Sequence, residues 1–287
     1  IIPTAGLGTR FLPLSKVLPK EFFPLVDKPV LEYIIREIKE SGIKKLIFIT
    51  QSRKKIVFDY CLLKNNLQIK KELKKRNKNS ILAEFKNWEK LFKNLSLFQV
   101  IQKKLLGDGH AILQAKNLTK KQPIAVSFAD DVVVSKTPCL AQLIKVFKKY
   151  KNPVLALHRV PRKDISCYGA VSVEKIGKKT YKIKKIIEKP SQKKIPSNLA
   201  IVGKYILTPE VFDYLSKAGL EKNKEILLAE ILQKMINDGK DIYGYEFEGT
   251  WLECGNKLAY LKSNLYLSLK HPLFGKKLKK SLRKQRF

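Results

Sequence analysis

Apolar residues fall into two rhythms along this chain. At positions 30, 31, 34, 35 and 38 they recur with charges between them, the spacing of a helix that buries one face. Gly42 stops that helix, and residues 43–50 then read as a second, buried strand. The opening residues read as the end of a first strand running into a glycine loop. Strand, loop, helix, strand is the order of a parallel sheet covered by helices. Further strands are predicted over 98–102, 123–128 and 154–160, with helices over 110–117 and 138–150 and covering helices across 53–95. The strand over 123–128 runs into Ala129-Asp130-Asp131, which puts two acids at the carboxyl edge of the sheet, where open α/β folds bind ligands.

The second half changes style. Residues 169–173 and 181–187 alternate around Gly177 and predict a hairpin on or beside the sheet. Helices are predicted over 209–216, 225–237 and 257–269, followed by a basic tail that is either a packed terminal helix or a solvated end. No repeat or long low-complexity linker interrupts the pattern. The expectation is an α/β fold: a Rossmann-like, mixed, mostly parallel sheet flanked by helices, with an added hairpin region, in one domain spanning 1–287.

Composition narrows the function. The 287 residues are 44% hydrophobic, a globular value, and no run reaches the roughly 18 apolar residues of a membrane span. Glycines and Arg10 stand where a targeting segment would be hydrophobic, so no signal peptide is expected. Ile1 leads straight into the loop without an initiator methionine, as expected if residues precede it. Cys61, Cys139, Cys167 and Cys254 form neither a CxxC pair nor a metal cluster, and read as reduced cytoplasmic thiols. The net charge of +34 invites a nucleic-acid partner. Yet the charge is overwhelmingly lysine, scattered and without interleaved aromatics, whereas readers of bases use arginine forks and stacking platforms. Lysine on solvated faces, from AT-rich coding, accounts for it; no specific nucleic acid and no membrane are expected.

Gly6-Leu7-Gly8-Thr9-Arg10 is the strongest chemical signal. Glycine tolerates the angles of a tight concave turn whose backbone amides can hold phosphate oxygens. Phe11 breaks the dinucleotide fingerprint at its sixth position, and no Gly-Lys-Ser or Gly-Lys-Thr follows as in a Walker loop. Arg10 beside the nest and Lys20 ten residues later can reach one polyphosphate from two sides.

At this point the chain resembles the sugar nucleotidyltransferases, and within them the branch that transfers uridylyl groups to glucose 1-phosphate. The resemblance rests on residues 3–10, Pro19-Lys20-Glu21, residues 24–29, Gly107-Asp108-Gly109-His110-Ala111, Tyr168-Gly169, Glu188-Lys189-Pro190, residues 196–203 and Cys254-Gly255-Asn256-Lys257. It implies that UTP and glucose 1-phosphate are the substrates and Mg2+ the cofactor, in a homodimer or homotetramer. It implies a nucleotide half over 1–135, a sugar-phosphate half over 136–256 and a C-terminal helix and tail over 257–287.

The same resemblance implies roles. Arg10 and Lys20 are the catalytic cations, clamping leaving phosphates and the reaction centre. Ala5, Gly6, Gly8, Thr9, Gln102 and Gly107 bind the nucleotide, with Gln102 and Gly107 reading the base. Gly169, Glu188 and Lys189 take the sugar phosphate. Asp130 and Glu253 hold the metal. Uracil and thymine share the edge a glutamine amide reads, so thymidylyl transfer, another sugar 1-phosphate, or a catalytically weak nucleotide-binding homologue stand as alternatives. This chain departs from the pattern at Glu253, where the family has aspartate, at Asp108 for leucine, at Ile101 for arginine, and at Leu227-Leu228 for a more polar pair.

Overall fold

The computed structural model describes residues 1–62, 66–219 and 224–284. Strand β1 (Ile2–Pro3) enters the glycine loop, and a short ladder of β2 (Pro24–Leu25) and β3 (Lys28–Pro29) leads into helix α1 (Val30–Glu40) and β4 (Lys45–Thr50). Three covering helices follow: α2 (Lys55–Asp59), α3 (Asn66–Lys75) and α4 (Asn79–Phe92). Then come β5 (Ser96–Ile101), α5 (Gly107–Leu113), β6 (Ile124–Ser127), β7 (Asp131–Val134), α6 (Cys139–Tyr150) and β8 (Val154–Arg159). The second half holds the hairpin β9 (Gly169–Lys175) and β10 (Thr180–Glu188), then β11 (Leu199–Leu207), α7 (Val211–Ala218) and α8 (Leu228–Asn237). It closes with β12 (Tyr243–Glu246), β13 (Thr250–Glu253), α9 (Lys257–Lys270) and α10 (Gly275–Lys284).

One continuous sheet runs through these elements. The Ile1 ammonium donates to Ala125 O at 2.7 Å and Ser127 N donates to Ile1 O at 3.0 Å, a parallel pairing that stitches the β5-β4-β1 sheet to β6. The order continues β11, β8, β12, β10, β9, and every described strand in it points the same way except β11 and β10. Ala170 of β9 also meets Ala200 of β11, so the far edge folds back on itself. The mixed, mostly parallel sheet with its hairpin is thus as the sequence implied.

The helical spacing explains the layers. In α1, Leu31, Ile34 and Ile35 are fully buried against Phe48, Leu140 and Leu143 on one face of the sheet. Each such side chain contributes roughly 1.5–3 kcal/mol by leaving water. On the other face Ile112, Val126, Leu155, Phe212, Leu215 and Leu232 form a second core under α5, α7 and α8. Covering both faces leaves the carboxyl edge as the open surface.

Two expectations shift. The helix predicted from 225 begins at Leu228, because Ile226 N is held by Leu106 O at 2.8 Å and the backbone stays extended until that cross-chain bond is made. The Asp130-Asp131 turn is followed by an additional strand, β7, which pairs with β13 so that Asp131 stands opposite Glu253.

Candidate active site

The nucleotide side starts where β1 ends. Thr4 is fixed through its amide (2.8 Å) and hydroxyl (3.0 Å) to Ile49 O, and the chain then turns out over the sheet edge. Gly8 adopts a left-handed φ of 69°, and a Cβ there would come within 3.1 Å of the Ser15 Cβ. Ser15 Oγ donates to Gly8 O at 2.8 Å and fixes the turn. Among the described residues none of the amides from Gly6 to Arg10 has a hydrogen-bond partner, the condition for a nest that receives phosphate oxygens. A cavity of about 380 Å3 opens in front, with Ala5, Gly6, Lys20, Gln102, Gly107 and Asp130 on its wall. Gly8 and Thr9 lie beyond that wall: Gly8 shapes the turn, and Thr9 starts a single 3-10 turn in solvent.

At the far end of this cavity, Gln102 follows β5 and is only 4% exposed, so it is no solvated strand residue. Its Nε2 lies 2.8 Å from His110 Nδ1 and 3.3 Å from Gly107 O. Burial holds the His110 ring below its ordinary pKa and favours the neutral form, in which the tautomer protonated at Nε2 lets Nδ1 accept from this amide. With Nε2 so engaged, Gln102 Oε1 is left to accept from a ligand. Gly107 has φ 88°, and a Cβ on it would fall 2.6 Å from Ile226 O. Gly109 N donates to Ile226 O at 2.8 Å, while Asp108 Oδ1 accepts from Gly109 N (2.8 Å) and Leu228 N (2.9 Å). The loop after β5 is therefore sewn to the first turn of α8, and Asp108, the residue in leucine's place, caps that helix.

The centre is a dense array of charge. Lys20 pairs with Asp130 Oδ2. Burial alone would lower the Lys20 pKa, but Asp130, Glu21 and Asp131 more than reverse this and raise it. Burial likewise pushes Asp130 up, and Lys20, with Arg10 further away, outweighs it and holds the carboxylate low. Asp131 meets the opposite fate: burial and the neighbouring Asp130 charge push it up to about 7. Its oxygens accept from Trp251 Nε1 at 2.7 Å and Gly203 N at 3.0 Å. Arg10 Nη1 reaches Gly255 O at 3.4 Å, which puts this cation on the second cavity rather than the first.

That second cavity, about 240 Å3, shares Asp108, Phe128 and Asp130 with the first. Gly169 and Glu188 are register partners in the hairpin, and a Cβ on Gly169 would stand 3.0 Å from Glu188 Oε2. Lys189 turns out of β10 with φ 45°, its Nζ 3.6 Å from Glu188 Oε1 and its side chain 55% exposed. Glu253 is held from both sides, by Tyr168 OH at 2.6 Å and Asn256 Nδ2 at 2.8 Å. A Cβ on Gly255 would lie 3.0 Å from Asp130 Oδ2 and 3.6 Å from Glu253 Oε1, so both carboxylates face the space that this glycine leaves clear. Among the described residues no group of three or more His, Cys, Asp or Glu could enclose a metal. Two carboxylates beside an open cavity suit a cation that keeps water and phosphate oxygens in its shell, as Mg2+ does.

The site residues singled out from the sequence border these two cavities, except Gly8, which shapes the glycine turn, and Thr9, which stands in solvent. Sequence reasoning passed over the buried supports. Lys54 Nζ bonds Thr4 O at 2.8 Å and Glu21 Oε1 at 3.2 Å under the glycine loop. Lys204, fully buried, bonds Ser127 Oγ at 2.8 Å and lies 3.1 Å from Glu37 Oε2 behind Asp131. The available signal was a lysine inside an otherwise apolar run, Ile201 to Leu207. Trp251, packed edge-on against Tyr168, is also a donor to Asp131.

Comparison with known proteins identifies the family and the fold. The model of the family described as nucleotidyl transferase matches residues 1–268. A UTP--glucose-1-phosphate uridylyltransferase of Staphylococcus epidermidis is 37% identical over 279 residues, covering 97% of this chain and 95% of the relative. A UDP-glucose pyrophosphorylase solved with UDP-glucose superposes with a TM-score of 0.83 at 34% identity, covering 94% of this chain and 98% of the other. A UTP-bound UGPase from Acinetobacter baumannii gives 0.87 at 32% identity, with 99% and 98% covered.

Proposed function

This chain belongs to the nucleotidyl transferase family, and on that footing we propose that it transfers a uridylyl group from UTP to α-D-glucose 1-phosphate, giving UDP-glucose and pyrophosphate. The observation that carries this reading is the pair of cavities that meet at Asp130, one walled by a glycine loop and Gln102, the other by Glu188 and Lys189. Two substrates seated in them bring a sugar phosphate oxygen up to the α-phosphorus, and in-line displacement needs no protein nucleophile.

The residues divide the work as follows. Gln102 Oε1 accepts from the imide N–H of uracil, with His110 and Gly107 fixing the amide. The nest amides from Gly6 onward hold the triphosphate, and Lys20 steadies the charge that builds around the α-phosphorus. Arg10, standing at the junction with the second cavity, clamps the departing phosphates. Glu188 accepts from sugar hydroxyls across Gly169, and Lys189 binds the phosphate of the sugar. Asp130 and Glu253 are the groups that would hold Mg2+, which when bound draws phosphate oxygens together and offsets their charge. Lys20, paired with Asp130 in this structure, would be free to turn toward phosphate oxygens once that carboxylate held the cation.

The reading includes a cytoplasmic location and a homodimer or homotetramer. Three of the four free cysteines are buried thiols, and among the described residues no helix is long and apolar enough to cross a membrane. Helix α9 leaves Leu258, Leu261 and Leu265 exposed along one side, an apolar strip suited to a second copy.

The test is Mg2+-dependent pyrophosphate release with UTP and dTTP, each against glucose and galactose 1-phosphate. Fastest release for UTP with glucose 1-phosphate is expected. No release from any pairing would overturn the reading, and faster release from dTTP would move it to thymidylyl transfer, since thymine offers Gln102 the same edge.

A further inference from the structure

Asp108 has two carboxylate oxygens with different circumstances. Oδ1 is saturated by the amides of Gly109 and Leu228. Oδ2 accepts no hydrogen bond from any described residue, although the side chain is not out in solvent: it stands on the wall of both cavities, beside Phe128 and Asp130. Glu188 is near enough across the second cavity for its charge to raise the Asp108 pKa, an effect added to that of burial. A carboxylate oxygen facing a polar cavity without a donor is an open acceptor. Phosphates do not satisfy it, because they bring acceptors and negative charge. Hydroxyl groups do.

We propose that Asp108 Oδ2 is a second hydroxyl acceptor of the sugar cavity, opposite Glu188, so that the hexose is gripped between two carboxylates while Asp108 Oδ1 keeps the helix cap. The inference rests on the functional reading above in assigning the second cavity to the sugar. It gives a role to a position where leucine would offer only an apolar wall. A hexose with a hydroxyl directed at Asp108 gains a charge-assisted hydrogen bond, of the kind worth roughly tenfold or more in affinity. A hexose lacking that hydroxyl leaves the carboxylate dry and unpaired, so the discrimination exceeds the simple loss of a contact.

The test uses Asp108→Asn, because the asparagine oxygen can still accept from Gly109 N and Leu228 N while a donor replaces the open acceptor. Equilibrium binding of UDP-glucose and of UDP is measured for the native protein and the variant. The expected result is a loss of about tenfold in UDP-glucose affinity, with UDP affinity changed by less than about twofold. An unchanged ratio of the two affinities would overturn the proposal, and so would an equal loss for both ligands, which would put Asp108 on the nucleotide or in the fold alone. UDP-glucose analogues deoxygenated at single ring positions sharpen the outcome: one of them should bind native protein and variant alike. Native protein that binds UDP-glucose more tightly than UDP, yet releases no pyrophosphate, would defeat the functional reading while leaving this comparison decisive.

Discussion

The two cavities are built by different means. The first takes its shape from backbone turns: the glycine loop at Gly6, fixed by the left-handed Gly8 behind it, and the left-handed Gly107 pressed on Ile226 O. The second is made of side chains that come from strands far apart in the chain, with Glu188, Glu253 and Lys189 at strand ends and Tyr168 bracing one of them. A backbone site gains its shape from local conformation, and a side-chain site gains it from the register of the sheet. The first should therefore fail when a glycine is replaced, the second when a bracing hydrogen bond is removed.

Lys20→Ala should produce the largest effect, because Lys20 faces Asp130 where the two cavities meet. Turnover should fall about 10²–10³-fold, the scale for removing a group that stabilises developing charge, with the fold retained; a rate within threefold of the native value would separate the cavities from the chemistry. Gly107→Ala comes next. With φ 88° and a Cβ 2.6 Å from Ile226 O, any side chain forces the loop off α8. The KM for UTP should rise by roughly tenfold, and stability should fall by about 1–3 kcal/mol from backbone strain. A rise confined to the KM for glucose 1-phosphate would reverse the division drawn above.

Tyr168→Phe removes the 2.6 Å hydrogen bond to Glu253 and little else. The Mg2+ concentration for half-maximal rate should climb about threefold while the KM for UTP stays put, since such a bond is worth roughly 0.5–1.5 kcal/mol. No change would mean that Asn256 alone fixes the carboxylate. Lys279→Ala, in the exposed basic face of α10, should leave rate and stability within about 0.5 kcal/mol of native, as surface substitutions do. A large effect there would show that the tail belongs to one of the cavities.

Legibility in the sequence followed the same division. The glycine loop could be picked out by residue type and spacing, whereas Gln102 with Gly107 and Glu188-Lys189 were singled out only through the resemblance to the sugar nucleotidyltransferases, whose motifs occupy short stretches of chain. The supports do not. Lys54 meets Glu21, and Lys204 meets Glu37, across gaps that only the folded chain closes; Lys54 looks in sequence like the many on the surface, and Lys204 is marked only by the apolar run around it. Asp131 was visible as an acid but not as a half-buried, hydrogen-bonded one, because its partners Trp251 and Gly203 arrive from β13 and β11. The start of α8 was read too early, since Glu225, Ile226 and Leu227 are all compatible with helix, while their backbone is committed elsewhere.

The unpartnered amides of the glycine loop carry a consequence for descent. Every residue except proline carries a backbone N–H, so most substitutions within the loop leave those donors in place. What inheritance must guard in that half of the molecule is the absence of a side chain at Gly8 and Gly107, two positions where nearly any substitution is felt.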